Sequence, residues 1–237
     1  MKSSYEDMLL SSVRIPSTVR NIGDSAFYRC NRLATANLPD GLERLGKYAF
    51  ADCSLESVQL PESIDIINDG VFMGNVTLVS VRIPNSVTHI GEYAFCGCGL
   101  KELQLPTSLR FIGKYAFNGC DITSVLIPKG VSHIGSYAFK DCSRLTEVTI
   151  PDELTEINIC LFQGCSSLCS LSTHSSPHIS KNGNITIPER IETIRESAFS
   201  GCHSIHSVYI PATVKHLYDN PFPDCENLKE FAIDKEN

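Results

Sequence analysis

The sequence predicts an α/β solenoid: a stack of 22–23-residue coils with a parallel sheet on one side and short helical turns on the other. Three observations predict it. Prolines that follow an aliphatic-x-aliphatic triplet recur at positions 16, 39, 61, 84, 106, 128, 151, 188 and 211, in steps of 22 or 23 except for one gap of 37. Eleven residues after each proline stands a phenylalanine, from Phe27 to Phe222. Three residues further stands a cysteine (Cys30, Cys53, Cys98, Cys120, Cys142, Cys165, Cys202 and Cys225), with Asn75 as the exception. A single unit cannot bury its Leu, Val, Ile, Phe and Cys, but stacked units bury one another's columns. The 237 residues are therefore expected to form one repeat domain, 1–237, of nine to ten coils.

Each coil opens with a strand. The V-x-I-P end alternates, as in Val81-Arg82-Ile83-Pro84, and the proline ends the strand because it lacks a backbone donor. Equivalent strands should lie about 4.8 Å apart, so ten of them make a body on the order of 45 Å long. The following Gly-x-x-Ala-Phe segment is expected to form a helical or 3₁₀ turn opposite the sheet. Gly23, Gly46, Gly91, Gly113 and Gly135 would supply permissive backbone there. The shorter coils lose one residue between the cysteine and the next aliphatic: Cys53-Ser54-Leu55 against Cys142-Ser143-Arg144-Leu145. That pattern marks a loop expected to tolerate length change. The gap of 37 between Pro151 and Pro188 places an inserted loop or hairpin near 172–187. Asn182-Gly183 is a type I′ hairpin signal. Such an insertion is neutral, serves a binding face, or breaks the strand ladder and bends the body.

The motif L-x-x-V-x-I-P-x-x-V-x-x-I-G-x-x-A-F-x-x-C, carried by Leu145 through Pro151 and by Ile90-Gly91-Glu92-Tyr93-Ala94-Phe95, resembles the BspA-like class of leucine-rich repeat proteins. The resemblance covers roughly residues 10 to 233. It implies a right-handed superhelix with the sheet on its concave side. It also implies a surface or secreted adhesin that engages host or partner proteins. The matching residues are scaffold, so the resemblance transfers no binding residue.

Eight of the eleven cysteines share one column and read as a reduced, buried ladder of small side chains. Equivalent residues point the same way, which disulfide geometry forbids. No C-x-x-C exists, and Cys96-Gly97-Cys98 has no second half-site, so no metal centre is expected. Cys96, Cys160 and Cys169 lie outside the column. His89, His133 and His216 share a column with Phe111 between the first two, too far apart for one metal ion. Tyr93, Tyr115 and Tyr137 read as a ladder half covering the core. No P-loop, G-x-S-x-G, H-E-x-x-H or dinucleotide fingerprint appears. Catalytic residues, cofactors and metals are all expected to be absent.

With 27 acidic against 20 basic side chains the net charge is −7, which opposes nucleic-acid binding. No apolar run is long enough to span a bilayer, so no membrane insertion is expected. Of two glycosylation triplets, Asn75-Val76-Thr77 falls in the buried column, and Asn184-Ile185-Thr186 is the more accessible.

Two surfaces remain. Strand residues that flank the central valine point outward, and Arg14, Asn37, Gln59, Arg82, Glu102, Gln104, Glu147 and Tyr209 form a candidate protein-binding row. The inserted loop adds His174, His178, Lys181 and Asn182. A stalk or spacer, and an intracellular scaffold, are the competing readings. Extracellular or cell-surface location follows from the resemblance. The absence of a secretory signal in Met1 through Leu10 leaves the cytoplasm as the alternative. Neither end shows a dedicated cap, so a fragment of a longer protein and weak end-to-end self-association are both expected.

Overall fold

The computed structural model describes residues 10–177, 180 and 182–234. Most coils contribute a face strand that ends just before the proline. The face strands are Ser12–Arg14, Thr35–Asn37, Ser57–Gln59, Ser80–Arg82, Ser124–Leu126, Glu147–Ile150, Ser170–Thr173, Asn184–Thr186, Ser207–Ile210 and Glu230–Ile233. All their pairings are parallel and place equivalent residues opposite one another, as in Val125 against Val148 and Val148 against Leu171. The pleat buries the middle residue and exposes its neighbours, as in Ser57–Gln59. A second, two-residue strand follows in most coils. Its longest sheet joins Ile66–Ile67, His89–Ile90, Phe111–Ile112 and His133–Ile134.

The core is a file of phenylalanines. Rings from Phe27 to Phe222 stack coil upon coil with centroids 5.0 to 6.2 Å apart. Phe50, Phe72, Phe95, Phe117, Phe139, Phe162 and Phe199 are fully buried. Beside this file runs the thiol column. Cys53 donates to the Phe27 carbonyl of the preceding coil at 3.1 Å, and Cys98, Cys120, Cys142, Cys165, Cys202 and Cys225 repeat the contact at 3.1–3.2 Å. Cysteine is therefore more than a small apolar filler here: its S–H satisfies a carbonyl. Asn75 performs the same task with its amide, donating to Phe50 O at 2.7 Å and Phe72 O at 2.9 Å and accepting from Leu55 N at 3.0 Å.

The expected helical turn is replaced by something else. No helix occurs among the described residues. The arc around each phenylalanine is a run of tight turns: Ala49 N–H donates to Gly46 O, and Ala51 N–H to Tyr48 O, both at 3.2 Å. The cause is two columns of left-handed backbone. Two residues before the phenylalanine stand Tyr48 (φ 56°), Tyr93 (58°), Tyr115 (57°) and Tyr137 (63°). Two residues after it stand Asp52 (54°), Gly97 (68°) and Asp141 (57°). A left-handed residue every fourth position stops an α-helix. What offsets the strain is a ladder between coils. Tyr48, Phe50 and Asp52 donate to Asp69, Val71 and Met73 of the next coil at 2.9, 2.9 and 2.7 Å.

The glycines Gly23, Gly46, Gly91, Gly113 and Gly135 have ordinary φ, contrary to their expected role as permissive backbone. A Cβ at Gly113 would lie 2.6 Å from the Glu92 nitrogen, and one at Gly135 would lie 2.5 Å from that of Lys114. At these two positions glycine lets adjacent coils approach closely.

The missing residue of the short coils is not neutral. Face strands offset by 23 pair, whereas the three steps of 22, Thr35 to Ser57, Ser80 to Glu102 and Glu102 to Ser124, leave the ladder open. Among the described residues, the N–H groups of residues 102–105 reach no acceptor. Leu103 stays buried although its segment is unpaired.

The first arm of the expected hairpin, residues 179–181, lies outside the described residues except for Ser180. Asn182 (φ 53°) and Gly183 (φ 81°) both take the left-handed conformation of a tight turn. Yet Asn184–Thr186 pairs in parallel with Ser207–Ile210, and Ser170–Thr173 pairs with Glu147–Ile150, in separate sheets. Ser172 and Thr173 belong to a face strand rather than a loop. Behind them Phe162 stacks directly on Phe199, and Glu156–Ile157 pairs directly with Thr193–Ile194. The face therefore gains one strand that the phenylalanine file lacks. Ser180 bridges this break: its carbonyl accepts from Ser170 Oγ at 3.2 Å, and its Oγ accepts from Thr186 N–H at 2.8 Å.

Candidate protein-binding face

The alternation of the face strands places the predicted row in solvent. Arg14, Asn37, Gln59, Arg82, Glu102, Gln104, Glu147 and Tyr209 are all exposed. Register aligns Arg14 with Asn37 and Gln59 with Arg82. Between those two pairs lies the open ladder step from Asn37 to Gln59. Over it runs a groove of about 920 Å³, lined by Arg14, Asn37 and Gln59 and by the strand-ending Pro16, Pro39 and Pro61. At the sequence level these prolines signal only strand termination, so their place in a groove is missed there.

Charge divides along the row. The outward face positions from Ser12 to Arg82 carry Arg14 and Arg82 and no acid, whereas those from Glu102 to Ala232 carry Glu102, Glu147 and Glu230 and no base. The change of sign coincides with the unpaired segment 102–105. Among the described residues, no hydrogen bond or ion pair holds the side chains of Arg14, Asn37 or Gln59. Arg82 makes one loose ion pair, with Glu62 at 3.9 Å, both groups well exposed; such a pair adds about 0–1 kcal/mol. Tyr209 donates its phenol to Asp234 at 3.0 Å, which holds the phenol above its ordinary range. Thr149 and Ser172, in register, share a hydroxyl hydrogen bond at 3.0 Å, and Ser172 is buried rather than offered to solvent.

The insertion leaves the face at His174, which stands where a proline would continue the series after Pro128 and Pro151. Its Nε2 hydrogen-bonds Ile127 O at 2.8 Å, reaching back across two coils. Asp152 accepts from the backbone N–H of Ser175 at 2.8 Å, and that contact lowers its carboxyl below the usual range. Thr173 Oγ1 accepts from Ser176 N–H. Asn182 is exposed at the turn back. His178 and Lys181 lie outside the described residues. Of the four predicted loop residues, His174 is thus an anchor for the loop.

The remaining sequence signals are structural. His89, Phe111 and His133 stack at 5.8 and 4.8 Å, and Tyr93, Tyr115 and Tyr137 at 4.8 and 4.5 Å. Lys114 lies over the rings of Tyr115 and Tyr137. No group of three or more His, Cys, Asp or Glu side chains that could hold a metal occurs among the described residues. Burial pushes the Cys53 and Cys142 thiols up to about 12 and raises Cys120, Cys165 and Cys202 well above the ordinary value. Cys96, Cys160 and Cys169 are raised for the same reason, so no thiol is activated as a nucleophile. Asn75 is buried and fully engaged, whereas Asn184 is exposed and accepts from Ser207 Oγ at 2.9 Å.

Known proteins share this frame. The family model for the BspA type leucine rich repeat region matches in six copies, over residues 1–81, 65–182 and 178–237. Among solved structures, the pneumococcal vaccine antigen PcpA is 22% identical over 94% of this chain, with a TM-score of 0.64. This chain spans 62% of that one. A leucine-rich repeat protein of T. pallidum is 25% identical over 82% of this chain and 78% of its own, with a TM-score of 0.58. One from Bacteroides ovatus is 22% identical over 94% and 78%, with a TM-score of 0.51. No curated protein sequence matches the chain.

Proposed function

Since the chain belongs to the BspA-type leucine-rich repeat family, we propose that it is a non-enzymatic module that binds a protein through its strand face at the cell surface. The observation that carries this reading is the groove over the first three coils. It is polar and lined by Arg14, Asn37 and Gln59, whose side chains have no partner among the described residues. Side chains of that kind are free to meet a ligand without first breaking a contact of their own. Likeness to a bacterial vaccine antigen supports the surface location. Stacked repeats offer an extended surface of the kind that recognises proteins, which supports a protein partner.

The test is direct capture. The immobilised chain is offered purified extracellular-matrix proteins one at a time by biolayer interferometry. The combined variant Arg14→Glu, Asn37→Lys, Gln59→Glu, at exposed positions, is expected to lose capture and keep its melting temperature. Capture unaltered by that variant would remove the groove from the binding surface. Absence of capture across the matrix panel would favour the spacer reading.

A further inference from the structure

One column of the strand face has an ordered chemistry. Arg14, Asn37, Gln59 and Arg82 follow one another from coil to coil at the same strand position, with Arg14 in register with Asn37 and Gln59 with Arg82. All four are exposed. Paired strands lie about 4.8 Å apart, so three steps separate the two arginines by roughly 15 Å. The column therefore runs cation, amide, amide, cation. The two amides stand on either side of the unpaired step, and both line the groove. Each carries donors and an acceptor, the two functions that a peptide backbone presents.

A third cation stands beside that groove. Arg20 donates to the Ser17 carbonyl at 2.8 Å and makes no ion pair among the described residues. A Cβ at Gly41 would lie 2.8 Å from its Nη1, and Ser17 and Gly41 both line the groove. Against the three arginines stand Asp40, which lines the groove, and Glu62, 3.9 Å from Arg82. This cationic excess occurs in a chain whose net charge is −7. The outward positions beyond Arg82 carry Glu102, Glu147 and Glu230. They repel the ligand charge that the first four coils attract, which confines an acidic ligand to those coils.

We propose, taking the strand face as the binding surface, that the partner's docking segment is an extended acidic stretch of protein laid across the strands, with carboxylates four residues apart meeting Arg14 and Arg82. An extended chain rises about 3.3 Å per residue and alternates its side chains, so residues i and i+4 lie on one side, roughly 13 Å apart. Residues two apart span less than half of the column, and residues six apart, at roughly 20 Å, overshoot it. Between the two carboxylates, the backbone of the middle residues faces Asn37 and Gln59. The planar fork of arginine pairs with a carboxylate through two parallel hydrogen bonds, which sets the register of the segment.

Titration of the full isotope-labelled chain with synthetic peptides tests it, read by nuclear magnetic resonance from the side-chain amides of Asn37 and Gln59. The probes are short Ser/Thr peptides, capped at both ends, with two glutamates spaced two, four or six residues apart. The four-spaced peptide should bind about fivefold tighter than either of the others, near the upper worth of one exposed ion pair. High salt should erase that advantage. Arg82→Glu should lose the four-spaced peptide and take up one of the two versions in which a single glutamate is replaced by lysine, a gain that a misfolded variant cannot show. Equal binding of all three spacings would overturn the proposal, as would binding that survives Arg14→Glu with Arg82→Glu. A heparin oligosaccharide that moves the same signals when no peptide does would overturn it in favour of a polysaccharide ligand. Amide signals that neither probe moves would also overturn it. If matrix-protein capture through the groove persists in that case, the strand-face reading stands without the acidic segment; if capture is absent too, both fall.

Discussion

A cysteine that donates to a carbonyl one coil back explains why this column is so uniform. The position needs a donor short enough to fit the narrow core, and thiol and amide are the two that occur there. Asn75→Ala would strip Leu55 N–H and Phe50 O of their buried partner. It should lower stability by about 2–4 kcal/mol in urea titration, and Asn75→Cys should do less harm because the thiol can recover the carbonyl. The ladder also sets an alkaline limit. Unfolded thiols ionise near 9.0, whereas Cys53 and Cys142 hold their protons to about 12. Between those values the unfolded chain releases protons that the folded chain keeps, so the stabilisation is whole below pH 9 and is lost above it. The urea midpoint should be flat from pH 7 to about 8.5 and fall by pH 10.5, with Cys142→Ser reducing the slope. The identity of this column was legible in the sequence, but its hydrogen bond was not, because composition does not reveal which way an S–H points.

Among the elements, the face strand is readable from its alternation, whereas the arc around the phenylalanine looks helical in sequence and is not. Tyr48 and its equivalents adopt left-handed backbone that no tyrosine favours alone, and only the hydrogen bonds between coils make it possible. Tertiary geometry of that kind leaves no local sequence signal except the glycines at 74, 97, 119, 164 and 201. The short steps are visible in the sequence but look harmless there. Their effect on face-strand pairing emerges only in three dimensions. Amides of residues 102–105 should therefore exchange with deuterium far faster than those of Val148 or Leu171, which lie in a continuous three-stranded sheet. Inserting a serine after Gly99 should slow exchange in that segment by restoring the longer, pairing step.

At the scale of the whole molecule, stability comes chiefly from neighbour upon neighbour. Phe117→Ala would empty one position between Phe95 and Phe139, each 5.5 Å away. It should cost about 3–5 kcal/mol. Denaturation followed by fluorescence and circular dichroism should then cease to be two-state, since a weak link midway uncouples the flanks. The one-dimensional plan was fully legible, because nine proline-to-phenylalanine spacings cannot arise otherwise. The candidate row was legible as outward positions, yet its groove was not, since that depends on where pairing fails.

The supernumerary strand has a consequence for reach. A staircase given one more tread on a single side should tilt at that landing, a bend that small-angle scattering would read as a maximum dimension shorter than that of a straight stack. A rigid rod laid along such a body would touch one flight rather than both. Only a guest with a joint of its own could follow the whole climb.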